Sequence, residues 1–347
     1  MDEDFRSRYA GQNVLVAGAG GYIGSALVKA LAAANPQSLI LLDSSEFGLF
    51  EIKRWMAAAC PDVSCESILG SVSDERLLRE ILPRLRPQTV FHAAAFKHVG
   101  LLERNPFAAI ENNALGSYIF AREVARHTAA RFSLLSTDKA ANPHSVMGVS
   151  KRIAELLTLS ITGAMPGANA IRLCNVIGSP GSVIPLFLEQ IEQGRAISVT
   201  HPEASRYFMT RDQAVNAILA AGITACERKV LLPEFPDPVR IADLARFLIG
   251  DQNLPISFTG LQPGEKLKED LIGAGESRVT TIDGPLTVIA AEKLSPRQAD
   301  DAVERLSHCV AHRDRTALLD ALCSIVPDYQ PSQLMLECAP IVSQACR

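Results

Sequence analysis

The chain has 347 residues, 48% hydrophobic and 21% charged, which describes an ordinary globular protein of one large domain or two closely joined ones. Its 34 basic residues nearly balance 38 acidic ones, the formal charge is −4, and neither sign forms a long run. That balance excludes a field for nucleic acid or a membrane surface, and no window approaches the ~20 apolar residues of a membrane helix.

In chain order, Asn13-Val-Leu-Val-Ala17 predicts a short apolar strand, followed by the turn Gly18-Ala-Gly20-Gly21-Tyr22-Ile23-Gly24 and a helix from Ser25 to Ala34. Glycines there let the backbone turn tightly and approach a pyrophosphate, whose charge sits against free N–H groups at the helix start. A second strand, Ser38-Leu-Ile-Leu-Leu42, ends in Asp43 and Ser44. An acid at that point is placed to accept a ribose 2′-hydroxyl and repel a 2′-phosphate, which favours NAD over NADP; a helix N-cap is the competing role for Asp43.

The alternation continues with a helix at Phe50–Ala59, a strand at Val63–Ile68, a helix at Asp74–Leu82 and a strand at Thr89–Ala93. Strands alternating with helices predict a parallel sheet covered on both faces. Ala93, Ala94 and Ala95 then give a small-residue turn at a strand's carboxyl end, where a cofactor can lie close. Lys97 is placed to reach a phosphate or a substrate hydroxyl, or else is simply solvated, and His92 and His98 read as packed side chains. Pro106 to Arg126 carries apolar residues at helical spacing, with Asn112 and Asn113 inside it. The strand Arg131–Leu135 delivers Ser136, Thr137, Asp138 and Lys139 to the same edge. After Pro143 a helix places Met147, Lys151 and Glu155 on one face, with Lys151 toward a nicotinamide ribose. This helix and the one at 106–126 are candidates for pairing with a twin subunit, hence a homodimer or higher oligomer.

Further on, helices are expected at Ser182–Gln193, Asp212–Cys226 and Ile241–Ile249, and strands at Ile197–Thr200, Lys229–Leu232, Ile256–Phe258 and Leu286–Ala290. Eight scattered cysteines form no C-x-x-C pair and no histidine stands at metal-ligand spacing, so no metal site is expected. The acidic start, Met1-Asp-Glu-Asp, lacks the features of a leader, and the expected location is the cytoplasm.

The glycine turn, His92-Ala-Ala-Ala, S-T-D-K-A-A-N-P from Ser136 and M-G-x-S-K from Met147 together resemble the extended short-chain dehydrogenase/reductase superfamily. Within it they resemble the CapD-type polysaccharide-biosynthesis branch, whose characterised members include UDP-N-acetylglucosamine 4,6-dehydratases. The likeness extends through Arg172–Phe187, Val199–Thr210 and Gly260–Leu267, and as far as Leu318 to Tyr329. It implies an α/β fold, a Rossmann-type doubly wound parallel sheet with a smaller C-terminal substrate domain. The expected division is an NAD-binding domain over 1–177, with a strand and helix near 229–250 returning to it, a nucleotide-sugar domain over 178–330 and a flexible tail over 331–347.

The resemblance also implies a reaction: carbon 4 of a UDP-sugar is oxidised, water leaves across carbons 5 and 6, and the hydride returns to carbon 6. It gives Asp138 as acid, Lys139 as base, Thr137 as the partner of the carbon-4 oxygen and Lys151 as the group orienting the ribose. Physics adds that Asp138 must be raised and Lys139 lowered to act near neutrality, whereas an ordinary salt bridge between them shifts both the wrong way. Asn112 joins the cofactor contacts. Lys97, Asn175, Val183, Val199, Thr200, Arg206 and Glu265 form the nucleotide-sugar site, with a surface salt bridge the competing role for Arg206 and a plain turn for Glu265. Met147 departs from the superfamily, which has tyrosine there as proton acceptor; a thioether has no proton to exchange, so Thr137, Asp138 or water must replace it. Ala17, Tyr22-Ile-Gly24-Ser-Ala26 and Ser71 depart too, and the membrane helices of longer relatives are missing, which predicts a free-standing catalytic unit. The alternatives are a UDP-sugar epimerase, a dehydratase that also inverts carbon 5, and an inactive protein that binds NAD or nucleotide sugar.

Overall fold

The computed structural model describes residues 3–337 apart from 129, 162–164, 166, 225, 227, 282–285 and 292. Six apolar segments form the parallel strands β1 (Asn13–Ala17), β2 (Ser38–Asp43), β3 (Ser64–Leu69), β4 (Thr89–His92), β5 (Arg131–Thr137) and β6 (Asn169–Leu173). They lie in the order 6-5-4-1-2-3, and three later strands extend the edge beyond β6. Lys229–Pro233 joins parallel to β6, Leu286–Ala290 pairs with it antiparallel, and Ser277–Thr281 closes that edge antiparallel.

Side chains alternate across each strand, so β1 sends Val14 and Val16 to one face and Leu15 and Ala17 to the other. The first face packs on Tyr22–Ala32, Glu46–Ala59 and Arg211–Ile223, and the second on Glu75–Leu85, Gly116–His127 and Val146–Ser160. With both faces covered, strands such as β6 are buried at every residue, which explains their near-continuous apolar sequences.

The helix expected over 106–126 runs from Pro106 to His127, interrupted by a π-helical segment at Ile110–Leu115. The helix Val146–Ser160 is buried along its whole length. Its outer face, with that of Ile110–Leu115, lies in one apolar cluster with Pro296–His312 and Arg315–Ile325. The chain's own C-terminal helices thus occupy the face that the sequence pattern offered to a twin subunit.

A smaller apolar cluster gathers Phe187, Ile197, Val199, Ala204, Ile241, Ala245 and Ile249. The chain crosses between this unit and the sheet more often than a boundary at 178 suggests. Arg211–Ile223 and Lys229–Pro233 belong to the sheet, whereas the helix Ile241–Ile249 stays with the small cluster. The tail expected from 331 is also corrected as far as residue 337. Ser332 and Met335 are buried, and Ser332 Oγ donates to the buried Glu103 carboxylate at 2.5 Å. Residues 338–347 lie outside the described residues.

Candidate active site

The glycine turn owes its shape to contacts that no side chain permits. Gly18 has φ +80°, and a Cβ on it would lie 2.6 Å from Ala94 N; a Cβ on Gly24 would collide with Gly18 O. The helix Tyr22–Ala32 starts after Gly21 with no side-chain cap, leaving its first N–H groups for a ligand. Asp43 braces the turn: Oδ2 accepts from Gly20 N at 2.7 Å and Oδ1 from Ser45 N at 2.8 Å. Ser45, not Asp43, caps the helix Glu46–Ala59, and Ser44 is exposed alongside.

At the carboxyl ends of β4, β5 and β6 a cleft of about 930 Å³ opens. It runs from Gly21, Tyr22, Ile23 and Gly24 past Ala93, Ala95 and Lys97 to Arg206 and Glu265. Thr137, Lys139, Met147, Lys151 and Asn175 all face into it. Lys151 is 4% exposed, and its ammonium has no hydrogen-bond partner among the described residues. Burial takes it down to about 8 against the opposing pull of Glu155. A cationic donor held more than nine-tenths buried in a cleft that is also lined by Gly21 and Gly24 suits a dinucleotide ribose.

Asp138 stands behind this wall, fully buried and not among the cleft-lining groups. Its Oδ1 accepts from Thr137 Oγ1 at 2.9 Å and from Lys139 Nζ at 2.9 Å, while Oδ2 has no hydrogen-bond partner among the described residues. Lys139 also donates to Asn175 Oδ1 at 3.3 Å and lies 3.7 Å from Glu269 Oε1. Burial alone would lower Lys139, but Asp138 and then Glu269 outweigh it and hold the amine protonated. The condition placed on Lys139 as a base, a lowered proton affinity, is thus corrected: it lies between two carboxylates that raise it.

Beneath the cleft a buried cluster fixes the helix Val146–Ser160 to the sheet. Arg172 donates to Glu155 Oε1 and Oε2 at 2.9 and 2.7 Å and to Glu276 Oε2 and Oε1 at 2.6 and 2.8 Å. Arg152 bridges the same two carboxylates at 3.1 and 2.7 Å, and Ser136 Oγ donates to Glu155 at 2.6 Å. Such bidentate, charge-assisted contacts leave little rotational freedom at either end. Glu276 also accepts from Gly273 N at 2.7 Å, so the loop after Gly264 is tied to the helix bearing Lys151. Lys266 adds a second fastening through Ala141 O at 3.1 Å and Asp270 at 2.9 Å.

The other expected contacts divide. Arg206 lines the cleft with its side chain 13% exposed, donating to Ser205 O at 2.8 Å and Leu267 O at 3.2 Å, so it is no surface salt bridge. Glu265 both lines the cleft and closes a turn by accepting from Gln262 N at 3.1 Å. Lys97 spends its donors across the rim, on Ser179 Oγ and Pro180 O, each at 2.8 Å. His92 is fully buried and its ring is pushed down to about 3 by burial, whereas His98, expected to be packed, is exposed at the rim against Gly181. Val183, Val199 and Thr200 do not line the cleft; Val199 pairs with Phe258 and is buried in the small core.

Asn112 does not line the cleft either, and its amide donates to Asn113 Oδ1 at 3.0 Å. The buried Asn113 bonds both Phe96 N and Phe96 O and reaches Ser150 Oγ at 3.0 Å, so it fixes the turn after Ala95 to the helix Val146–Ser160. An amide between the apolar Ile110 and Ala114 on an inward helix face was the available signal. Glu269, 5% exposed and lining the cleft, was also missed.

Sheet order, glycine turn and a cleft at the strand ends carrying Thr137 and Lys151 define an extended short-chain dehydrogenase/reductase. The chain belongs to the polysaccharide biosynthesis protein family, whose match covers residues 14–290. It is 39% identical to the capsular polysaccharide biosynthesis protein CapD of Staphylococcus aureus over 76% of its own length, but spans only 46% of that relative. It is 31% identical to a UDP-glucose 4-epimerase of Rickettsia canadensis, covering 77% of this chain and 79% of the other. A UDP-N-acetylglucosamine 4,6-dehydratase (inverting) of Campylobacter jejuni is 27% identical over 86% of this chain and 89% of its own. Among solved structures, Pen from Bacillus thuringiensis superposes with a TM-score of 0.71 at 25% identity, covering 83% and 92% of the two chains. DesIV of Streptomyces venezuelae, a dTDP-glucose 4,6-dehydratase with NAD bound, gives 0.67 at 20% identity over 75% and 88%, a likeness of fold.

Proposed function

We propose that this chain is a nucleotide-sugar 4,6-dehydratase that takes UDP-N-acetylglucosamine or a close UDP-sugar to the 4-keto-6-deoxy product. NAD would be held by the Gly18–Gly24 turn, Asp43 and Lys151, and when bound it supplies the acceptor and donor for one hydride within a turnover. The observation that carries the reading is the Thr137–Asp138 pair beside Met147. The Thr137 hydroxyl faces the cleft and donates to Asp138, which leaves its lone pairs to accept the carbon-4 hydroxyl proton. Asp138 behind it is the sink for that proton, doing what the absent phenol does elsewhere. Lys139, kept as an ammonium, is the donor to the departing carbon-6 hydroxyl, and Arg206 and Asn175 are placed to take the diphosphate.

Relatives named as inverting UDP-N-acetylglucosamine 4,6-dehydratases support this substrate class, and relatives named as UDP-glucose 4-epimerases support a second reading, epimerisation at carbon 4. Mass spectrometry of purified protein incubated with NAD and UDP-N-acetylglucosamine separates them. Loss of one water is the expected result, an isobaric product favours the epimerase, and no product from any UDP-hexose or UDP-hexosamine refutes both.

A further inference from the structure

Behind one end of the cleft lies a buried polar group that the chemistry leaves unused. Glu103, on the short helix Val99–Arg104, is fully buried, and no ion pair of its carboxyl group lies among the described residues. Taking a carboxyl group out of water without a cation beside it is costly, so the partners of its two oxygens are informative. Oε1 accepts from Val146 N at 2.6 Å, 43 positions away, and Oε2 accepts from Ser332 Oγ at 2.5 Å, 229 positions away. Val146 opens the helix Val146–Ser160, and its N–H is one of the donors that a helix start leaves without an intrahelical acceptor. The cap residue Ser145 serves Gly148 N at 3.0 Å, so the acceptor for Val146 comes from another element. Ser332 is fixed in turn: its Oγ accepts from Met335 N at 3.2 Å, and Gln330 N nearby donates to Pro143 O at 2.9 Å. Gly264 closes on the same group, since a Cβ there would lie 2.8 Å from both Glu103 Oε1 and Ser145 Cβ. Leu102 and Met147, next in sequence to the two bonded residues, line the cleft together with Ser145, Gly264 and Lys151. The bond from Val146 to Glu103 thus sets the spacing of two cleft walls and the depth at which Met147 and Lys151 face in.

We propose, resting on the dehydratase reading, that Glu103 is a positioning residue for the reaction. Its carboxyl group, itself held by Ser332, keeps the start of the helix Val146–Ser160 in place, so that Lys151 meets the dinucleotide ribose and Met147 the sugar. Glu103 touches neither ligand. Its effect is geometric, and a displacement of about 1 Å at groups that orient the reactants can cost ~100-fold in rate. A glutamine at this position keeps both bonds, with Oε1 accepting from Val146 N and Nε2 donating to the Ser332 hydroxyl oxygen, and so serves nearly as well. An alanine keeps neither.

The test compares Glu103→Ala and Glu103→Gln with wild type, each checked for folding by urea unfolding and assayed well below its melting temperature. Calorimetry with NAD and no sugar is expected to show binding at least ~10-fold weaker in Glu103→Ala and within ~3-fold of wild type in Glu103→Gln. With UDP-N-acetylglucosamine and saturating NAD, kcat of the alanine variant should fall by ~10- to 100-fold, and glutamine should restore most of it. KM, set by Arg206 and Asn175 on other elements, should move by less than ~3-fold. A loss of stability alone would leave NAD affinity and kcat of the folded protein near wild type. Glu103→Met, which fills the space without supplying an acceptor, decides the matter if the alanine variant does not fold. NAD affinity and kcat both within ~3-fold of wild type in a folded alanine or methionine variant, or a folded glutamine variant as impaired as alanine, overturns the assignment. A wild type that releases no dehydrated sugar refutes the parent reading instead, and the NAD affinities then still decide the role of Glu103.

Discussion

Replacing Glu155 by Gln tests the buried cluster on which the catalytic helix rests. Burial alone would raise the Glu155 carboxyl, but Arg172, then Arg152 and the Ser136 hydroxyl, overcome it and bring it from 4.5 down to about 2. A depression of that size corresponds to about 3 kcal/mol favouring the charged form. That agrees with the ~3–5 kcal/mol lost when one partner of a buried pair is removed. Because the folded carboxyl holds its proton less tightly than the unfolded one, this stability is complete above pH 4.5 and disappears as pH falls through about 2. Urea unfolding at pH 7 is expected to show a loss of about 3 kcal/mol, with Tm lower by roughly 5 °C. The gap between variant and wild type should narrow as the medium is acidified below pH 4.5. A loss under ~1 kcal/mol at pH 7, or a gap that stays constant on acidification, would refute the assignment of the cluster as the helix's anchor.

Three further outcomes are expected. Lys139→Met should abolish water loss while dinucleotide remains bound, read by mass spectrometry and by absorbance of the purified protein; retained dehydration would remove Lys139 from the chemistry. Arg206→Lys should raise KM for the UDP-sugar by ~10-fold or more, since an ammonium cannot make the forked contact, with kcat much less affected. Dinucleotide affinity measured by calorimetry without sugar should fall as pH rises through about 8, where the buried Lys151 gives up its proton, and Lys151→Met should be weak and flat across that range.

Much of the nucleotide half was legible because its signals are local. A strand, a glycine turn, a helix and an acid at the next strand end lie within Asn13–Asp43, and each element follows from spacing alone. What the sequence concealed depends on segments far apart in the chain. Glu269 lies 130 positions from Lys139, and nothing in the run Gly264-Glu-Lys-Leu-Lys-Glu269 marks one carboxylate of several as facing a cleft. The charge of Lys139 has the same origin: adjacency to Asp138 was visible, but the second carboxylate, Glu269, comes from a distant loop, and together the two outweigh the opposing effect of burial. The amphipathic catalytic helix announced an apolar outer face without saying what covers it. A second copy and the chain's own helices at Pro296–His312 and Arg315–Ile325 satisfy the same pattern, and the fold uses the latter. Asn112 and Asn113 are neighbours in sequence, and only the π-helical turn decides which of them points inward.

The central claim is that Thr137, Asp138, Lys139 and Lys151 serve an internal oxidation, elimination and reduction on one sugar. Its most direct test is UDP-N-acetylglucosamine carrying deuterium at carbon 4, incubated with the protein and NAD and examined by NMR and mass spectrometry. The account predicts a product lighter by one water, with the deuterium moved to carbon 6. Deuterium still at carbon 4 of a sugar that has lost no water would contradict it.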